Sequence, residues 1–262
     1  MIRIASLLAA ACLALVTSTN ARAQLVVSEK EVRREARVEW LSMKRHLSVA
    51  HDPRVQKYVQ CVADNIIATL PPEQSQKDWE VVVFDDDQIN AFADPNNKIG
   101  VFTGLLRVAD TRDALAAVIG HEVAHATEGH VMQRARKGAR NNALVLLGSA
   151  ATGISPDLLN EGAMISLGLP YAREQETKAD LIGLQSMARA GFDPRAALSL
   201  WKNMAAAMSG KGTPPEFLSD HPADDTRLDT IVKQIRPALI TYNQAIDAGK
   251  RPNCQAIAAP DR

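Results

Sequence analysis

The chain has 262 residues, 46% hydrophobic and 23% charged, with 30 basic against 30 acidic side chains. That is the composition of a globular protein with a real core, and it excludes a disordered or fibrous chain. Balanced charge, no basic block and only 4% aromatics also argue against a nucleic-acid surface.

The N-terminus reads as an export signal. Arg3 supplies a short positive region, Ile4 to Val16 are apolar, and Ala21-Arg22-Ala23 fits the small-x-small cleavage rule. This predicts a signal peptide over residues 1–23 and an exported, periplasmic chain of residues 24–262. The apolar run is shorter than the roughly 20 residues that span a bilayer. Ala9-Ala10-Ala11-Cys12 keeps open an alternative, a lipoprotein attached to the outer membrane. Cys12 leaves with the signal, so Cys61 and Cys254 remain. In an oxidising compartment they are expected to pair and close most of the chain; two buried thiols are the other reading.

Ser28 with Glu31 forms a capping-box signature, and a helical pattern follows to about Val49. Asp52-Pro53 starts a second helix that runs to about Thr69 and ends at Pro71-Pro72. Trp79–Phe84 and Ile99–Thr103 are β-rich runs separated by a polar turn at Asp94-Pro95-Asn96-Asn97. Thr111 opens a helix expected to continue through at least Gln133. Ala143–Ala151 is apolar and, with Met164–Leu169, is predicted to be a core-packing helix pair, with peripheral membrane contact as the alternative. Ser155-Pro156 begins a short helix, and Tyr171–Ala190 is a longer one stopped by Gly191. Asp193-Pro194 starts a helix to about Met208; a loop over Gly210–Pro222 leads to a last helix, Asp224–Ile235. The expected class is α+β, mostly α, with a small sheet.

His121-Glu122-Val123-Ala124-His125 is an H-E-x-x-H motif. On a helix its two histidines lie about 40° apart and one turn along, so both can reach one metal, with Glu122 facing a water on it. Glu176 is the candidate third ligand, since His₂Glu is a familiar zinc set. Asp180, at i+4 from Glu176, shares its helix face and is placed to accept the free N–H of a liganding histidine. Glu174 reads as solvent-facing. His130 lies about 180° from His121 on a continuous helix, so it is rejected as a ligand and read as a polar residue facing away.

With these motifs stand Asn90-Ala91-Phe92-Ala93, Gly100-Val101-Phe102-Thr103-Gly104-Leu105-Leu106, Gly191-Phe192-Asp193-Pro194, Leu218-Ser219-Asp220-His221-Pro222 and Arg227. Together they resemble the gluzincin zinc metallopeptidases of the HtpX, BepA and CAAX prenyl protease kind, over most of Val81–Arg236. The resemblance implies a zincin-like domain whose edge strand flanks the active-site helix, and a small stand-alone exported member. It divides residues 24–262, one domain, into N-terminal helices (24–75), a catalytic core (76–236) and a C-terminal tail (237–262). It implies one Zn²⁺ per chain on His121, His125 and Glu176, with Glu122 as general base. His221 or Arg227 would supply an oxyanion donor, or His221 would occupy the open zinc position and hold the enzyme off. A surface loop histidine and a surface helix arginine are the alternatives. Ile99, Gly100, Val101 and Phe102 are expected to form the sheet edge that takes up an extended substrate. The implied substrates are polypeptides, unfolded or misfolded envelope proteins. A chaperone or assembly factor with little or latent proteolysis is the alternative, and a transmembrane helix and nucleic acid are not expected.

Overall fold

The computed structural model describes residues 28–152, 171–208, 216–222 and 225–255. The predicted signal peptide, the Ser155-Pro156 helix, Met164–Leu169 and residues 210–215 of the expected 210–222 loop fall outside them; within the rest of that loop Glu216–Asp220 form a short helix instead. The described residues divide into two compact units, one of residues 28–32 with 133–152, the other of residues 33–132 with 171–208, 216–222 and 225–255.

The helices are α1 (Glu29–His46), α2 (Pro53–Ile67), α3 (Pro72–Ser75), α4 (Arg112–Thr127), α5 (His130–Thr152), α6 (Arg173–Ala190), α7 (Ala196–Met208), α8 (Glu216–Asp220) and α9 (Asp225–Asp247). Strands β1 (Glu80–Phe84), β2 (Ala91–Ala93) and β3 (Lys98–Phe102) form one small sheet. The caps read from the sequence are present. Ser28 Oγ accepts from Glu31 N–H, and Asp52 accepts from Arg54 N–H ahead of Pro53. Thr111 accepts from Ala114 N–H, and Gly191 ends α6 in the left-handed conformation. The last helix continues well past Ile235, through Pro237 to Asp247.

The sheet order is β1-β3-β2, with β3 parallel to β1 and antiparallel to β2. This corrects the expectation that Ile99, Gly100, Val101 and Phe102 form the edge: β3 is the central strand, its hydrogen-bonding groups already paired on both sides. β1 is closed on its outer side, where the Gln56 side chain bonds Val81 O and Val83 N and Ala50 N–H bonds Val83 O. The edge strand beside α4 is β2, three residues too short to show alternation in the sequence. Phe102 N–H donates to Asn90 O and Asp94 N–H to Lys98 O, so alternation turns the backbone of Ala91 and Ala93 away from β3.

Side chains alternate across the sheet. Val81, Val83, Ala91, Ala93, Ile99 and Val101 join the main core with α2, α4 and α6, while Val82, Phe84 and Phe102 pack with Trp40 of α1. Helix α4 is buried nearly all round, which a surface helix never is, and this places its polar residues inside the protein.

The structure joins Cys61 of α2 to Cys254 after α9, residues 193 apart in sequence. Replacing both by alanine is expected to lower the unfolding free energy by about 2–4 kcal/mol, because the cut chain regains loop entropy when unfolded. Urea denaturation of the two proteins measures it; equal midpoints would show that the crosslink restrains little.

Two other expectations change. The helix opened by Thr111 does not reach Gln133: α4 stops at Thr127, Gly129 takes φ +72°, and α5 starts afresh at His130. Leu144, Leu146 and Leu147 of α5 are 50%, 60% and 42% exposed, so these leucines do not pack as a core helix.

Candidate metal centre

Two helices carry the donors, and their approach is set by glycine. Gly120 of α4 faces Gly183 of α6 backbone to backbone: a Cβ on Gly120 would lie 2.9 Å from Gly183 O, and one on Gly183 would lie 2.8 Å from His121 N. No larger residue fits at either place without moving a helix. The contact sits beside His121, bringing His121 and His125 against Glu176 and Asp180, which project from the same face of α6 as their i, i+4 spacing requires.

The ligand atoms of His121, His125, Glu176 and His221 all lie within 4.8 Å of one another, and all four residues are buried. His121 Nε2 is 3.0 Å from His125 Nε2 and 3.1 Å from His221 Nδ1. Glu176 Oε1 is 3.3 Å from His125 Nε2 and 3.0 Å from His221 Nδ1. Donors held tetrahedrally about 2.0–2.1 Å from zinc stand about 3.3 Å apart, so this set has the spacing of one zinc site. Its chemistry fits too. Three imidazole nitrogens cannot all satisfy each other as hydrogen-bond partners, but all can offer lone pairs to one cation.

Electrostatics favours a positive charge at that point. Burial opposes protonation of both motif histidines. It prevails at His125, pushed down to about 2, whereas donating to Asp180 and Glu176 lifts His121 up to about 10. Burial likewise disfavours charge on Glu176, yet hydrogen bonds from His121, His125 and His221 hold its carboxyl well below the usual range. A divalent cation answers this need, displacing the proton from His121.

Around the donors each remaining predicted residue has a place. His121 Nδ1 is 2.9 Å from Asp180 Oδ1, the partnership expected of it. Glu122 is buried beside the cluster; its Oε2 accepts from Ala93 N–H at 3.1 Å, and its Oε1 is 3.3 Å from His221 Nε2. Burial pushes the Glu122 carboxyl up. His221 is a buried member of the cluster rather than a surface loop residue. Arg227 is also buried: Nε and Nη2 donate to the two oxygens of Asp180 at 2.8 and 2.9 Å. Its Nη1 donates to Pro222 O at 2.8 Å and stands 2.7 Å from Glu176 Oε2, and Trp201 lies 4.7 Å beneath the guanidinium. With all three nitrogens engaged, Arg227 clamps the carboxylates of Asp180 and Glu176.

Three neighbours went unassigned in the sequence. The Tyr171 ring lies 3.9 Å from that of His125, Phe217 stacks on His221 at 4.6 Å, and the main chain of Ala93 holds Glu122. His130 does not face away: it is 4% exposed, and its Nδ1 is 3.3 Å from His125 Nδ1. The signal that corrects it was present, since Gly129 is a helix stop that breaks the assumed continuous helix.

Comparison with known proteins agrees with this arrangement. The chain is 36% identical over 183 residues to the mitochondrial metalloendopeptidase OMA1 of Schizosaccharomyces pombe, covering 70% of this chain and 54% of that protein. It is 34% identical over 205 residues to human metalloendopeptidase OMA1, covering 72% and 37%. Against the beta-barrel assembly-enhancing protease of Yersinia pestis it is 29% identical over 196 residues, covering 71% and 40%. It thus spans about half or less of the length of these relatives. The family model for peptidase family M48 matches residues 51–235, across the sheet, both donor helices, His221 and Arg227. The chain belongs to peptidase family M48.

Proposed function

We propose that the chain is a zinc-dependent endopeptidase that hydrolyses peptide bonds of unfolded or misfolded proteins of the cell envelope. The observation that carries this reading is Glu122 beside four buried donors with the spacing of one zinc site. His121, His125 and Glu176 would hold the ion. Bound zinc would supply Lewis acidity, polarising the scissile carbonyl and bringing the pKa of a water towards about 7.

Glu122 accepts the proton of the attacking water and returns one to the leaving amine. The Ala93 N–H fixes one of its oxygens, and the other, 3.3 Å from His221 Nε2, is left for this exchange. Asp180 keeps His121 in the tautomer that offers Nε2 to the metal, and Arg227 holds Asp180 and Glu176 in register. An extended substrate adds to β2, the outward Ala91 backbone and the Ala93 C=O supplying main-chain hydrogen bonds and so little sequence preference. His221, whose Nδ1 stands with the other donors, would hold the resting site closed until substrate displaces it. The envelope assignment is supported by the N-terminal signal pattern and by relatives named for β-barrel assembly; among the described residues no helix is long and apolar enough to cross a membrane.

The test uses purified residues 24–262 and the His221→Ala variant, with zinc measured by elemental analysis and cleavage of casein followed with and without a chelator. One zinc per chain is expected in both, with cleavage abolished by the chelator and faster in the variant. A protein without zinc would overturn the reading. Zinc with no cleavage in either form would favour a chaperone using the same surface.

A further inference from the structure

The sequence makes His130 a bystander; the fold does not. A continuous helix would turn position 130 about 140° from position 125. Gly129, in the left-handed conformation, ends α4 and restarts the chain as α5, and the first side chain of α5 returns to the donor cluster. His130 is 4% exposed, and its ring centroid lies 5.1 Å from that of His125 with the planes at 70°.

The atoms that meet are informative. His125 Nε2 is its cluster-facing nitrogen, 3.0 Å from His121 Nε2 and 3.3 Å from Glu176 Oε1. To offer a lone pair there, a neutral imidazole must carry its hydrogen on Nδ1. That nitrogen is 3.3 Å from His130 Nδ1, which is therefore the acceptor, with its own hydrogen on Nε2. His121 has the corresponding arrangement, its Nδ1 held by Asp180 at 2.9 Å. Each motif histidine thus has a partner behind it, one a carboxylate and one an imidazole.

We propose that His130 is a positioning residue for the zinc site: it accepts the Nδ1–H of His125 and so fixes the tautomer and ring orientation that present Nε2 to the metal. An imidazole acceptor in place of a second carboxylate does this without adding negative charge to a cluster that already holds Glu122, Glu176 and Asp180. The inference rests on the zinc reading above, and its test does not depend on peptidase activity.

The experiment compares purified wild type, His130→Phe and His130→Asn by competition for zinc with a chromophoric chelator. Thermal melts of the zinc-free proteins check folding. Asparagine puts an oxygen near the place of Nδ1, whereas phenylalanine keeps the ring and removes the acceptor. His130→Phe is expected to weaken zinc binding about 10- to 100-fold, and His130→Asn to stay within about threefold of wild type. Equal affinity in all three, or equal losses in both variants, would overturn the proposal, the latter because it would mark a packing role. In zinc-loaded wild type the His125 Nδ1–H should appear by NMR as a downfield, slowly exchanging proton. Its absence would overturn the proposal even if His130→Phe did not fold. Wild-type protein that takes up no zinc would overturn the metal reading and this inference with it.

Discussion

Replacing Glu122 by glutamine is expected to lower kcat/KM on casein by about two to four orders of magnitude while one zinc stays bound per chain. Glutamine has the same shape and can still accept the Ala93 N–H through its amide oxygen, so the surroundings have no reason to move. What is lost is the ability to take a proton. Stability should not fall, because a carboxylate in this buried place is disfavoured and a neutral amide removes that penalty. The same burial sets the pH dependence. The carboxyl is pushed up and only its ionised form acts as a base. Wild-type kcat/KM should therefore fall as pH drops through a value above the ordinary carboxylate range. Steady-state kinetics from pH 4 to 8, in wild type and in a His221→Ala background, measures both effects. Undiminished cleavage by Glu122→Gln would place the base elsewhere; protection of unfolded clients by a variant that no longer cleaves would favour the chaperone reading.

The second large effect is expected at Arg227. Arg227→Met keeps length and packing over Trp201 but leaves Asp180 and Glu176 buried without their cation. Removing one partner of a buried ion pair costs about 3–5 kcal/mol, because the remaining charge cannot return to water. Lysine should rescue poorly, since a single ammonium cannot reproduce the fork that meets both oxygens of Asp180. Burial opposes the charge on Asp180, yet hydrogen bonds from His121 and Arg227 hold its carboxyl below the usual value. A lowered carboxyl pKa contributes stability above the unfolded-state value and loses it as pH falls. The gap between wild type and variant should therefore be full at neutral pH and shrink in acid. Because that unfolded-state value is near 3.8, urea unfolding at pH 7 and at about pH 2.5 tests this; a difference under about 1 kcal/mol at pH 7 would show that the clamp matters little.

The parts of this site that the sequence displays are those carried by helical spacing. His121, Glu122 and His125 lie within one turn and a third, and Glu176 and Asp180 are one turn apart, so their shared faces follow from 3.6 residues per turn. His221 and Arg227 came only through family resemblance. Nothing local marks either as buried, and a fully buried arginine is rare unless paired. The strand order failed for a related reason. β3 is longer than β2, but which strand is central depends on pairing between distant segments, which no local pattern encodes. His130 was misplaced by one backbone dihedral, at Gly129.

The glycine crossing of α4 and α6 bears on how such a site can change over evolutionary time. The distance between the two donor helices rests on bare main chain, and the smallest side chain already brings atoms to 2.8 or 2.9 Å. There is no graded series of substitutions there, no slightly wider spacing to sample between one coordination geometry and none. Variation that retunes the enzyme must therefore enter through the strand edge and the loops that bear on the substrate, while the two donor helices are inherited as one fixed part.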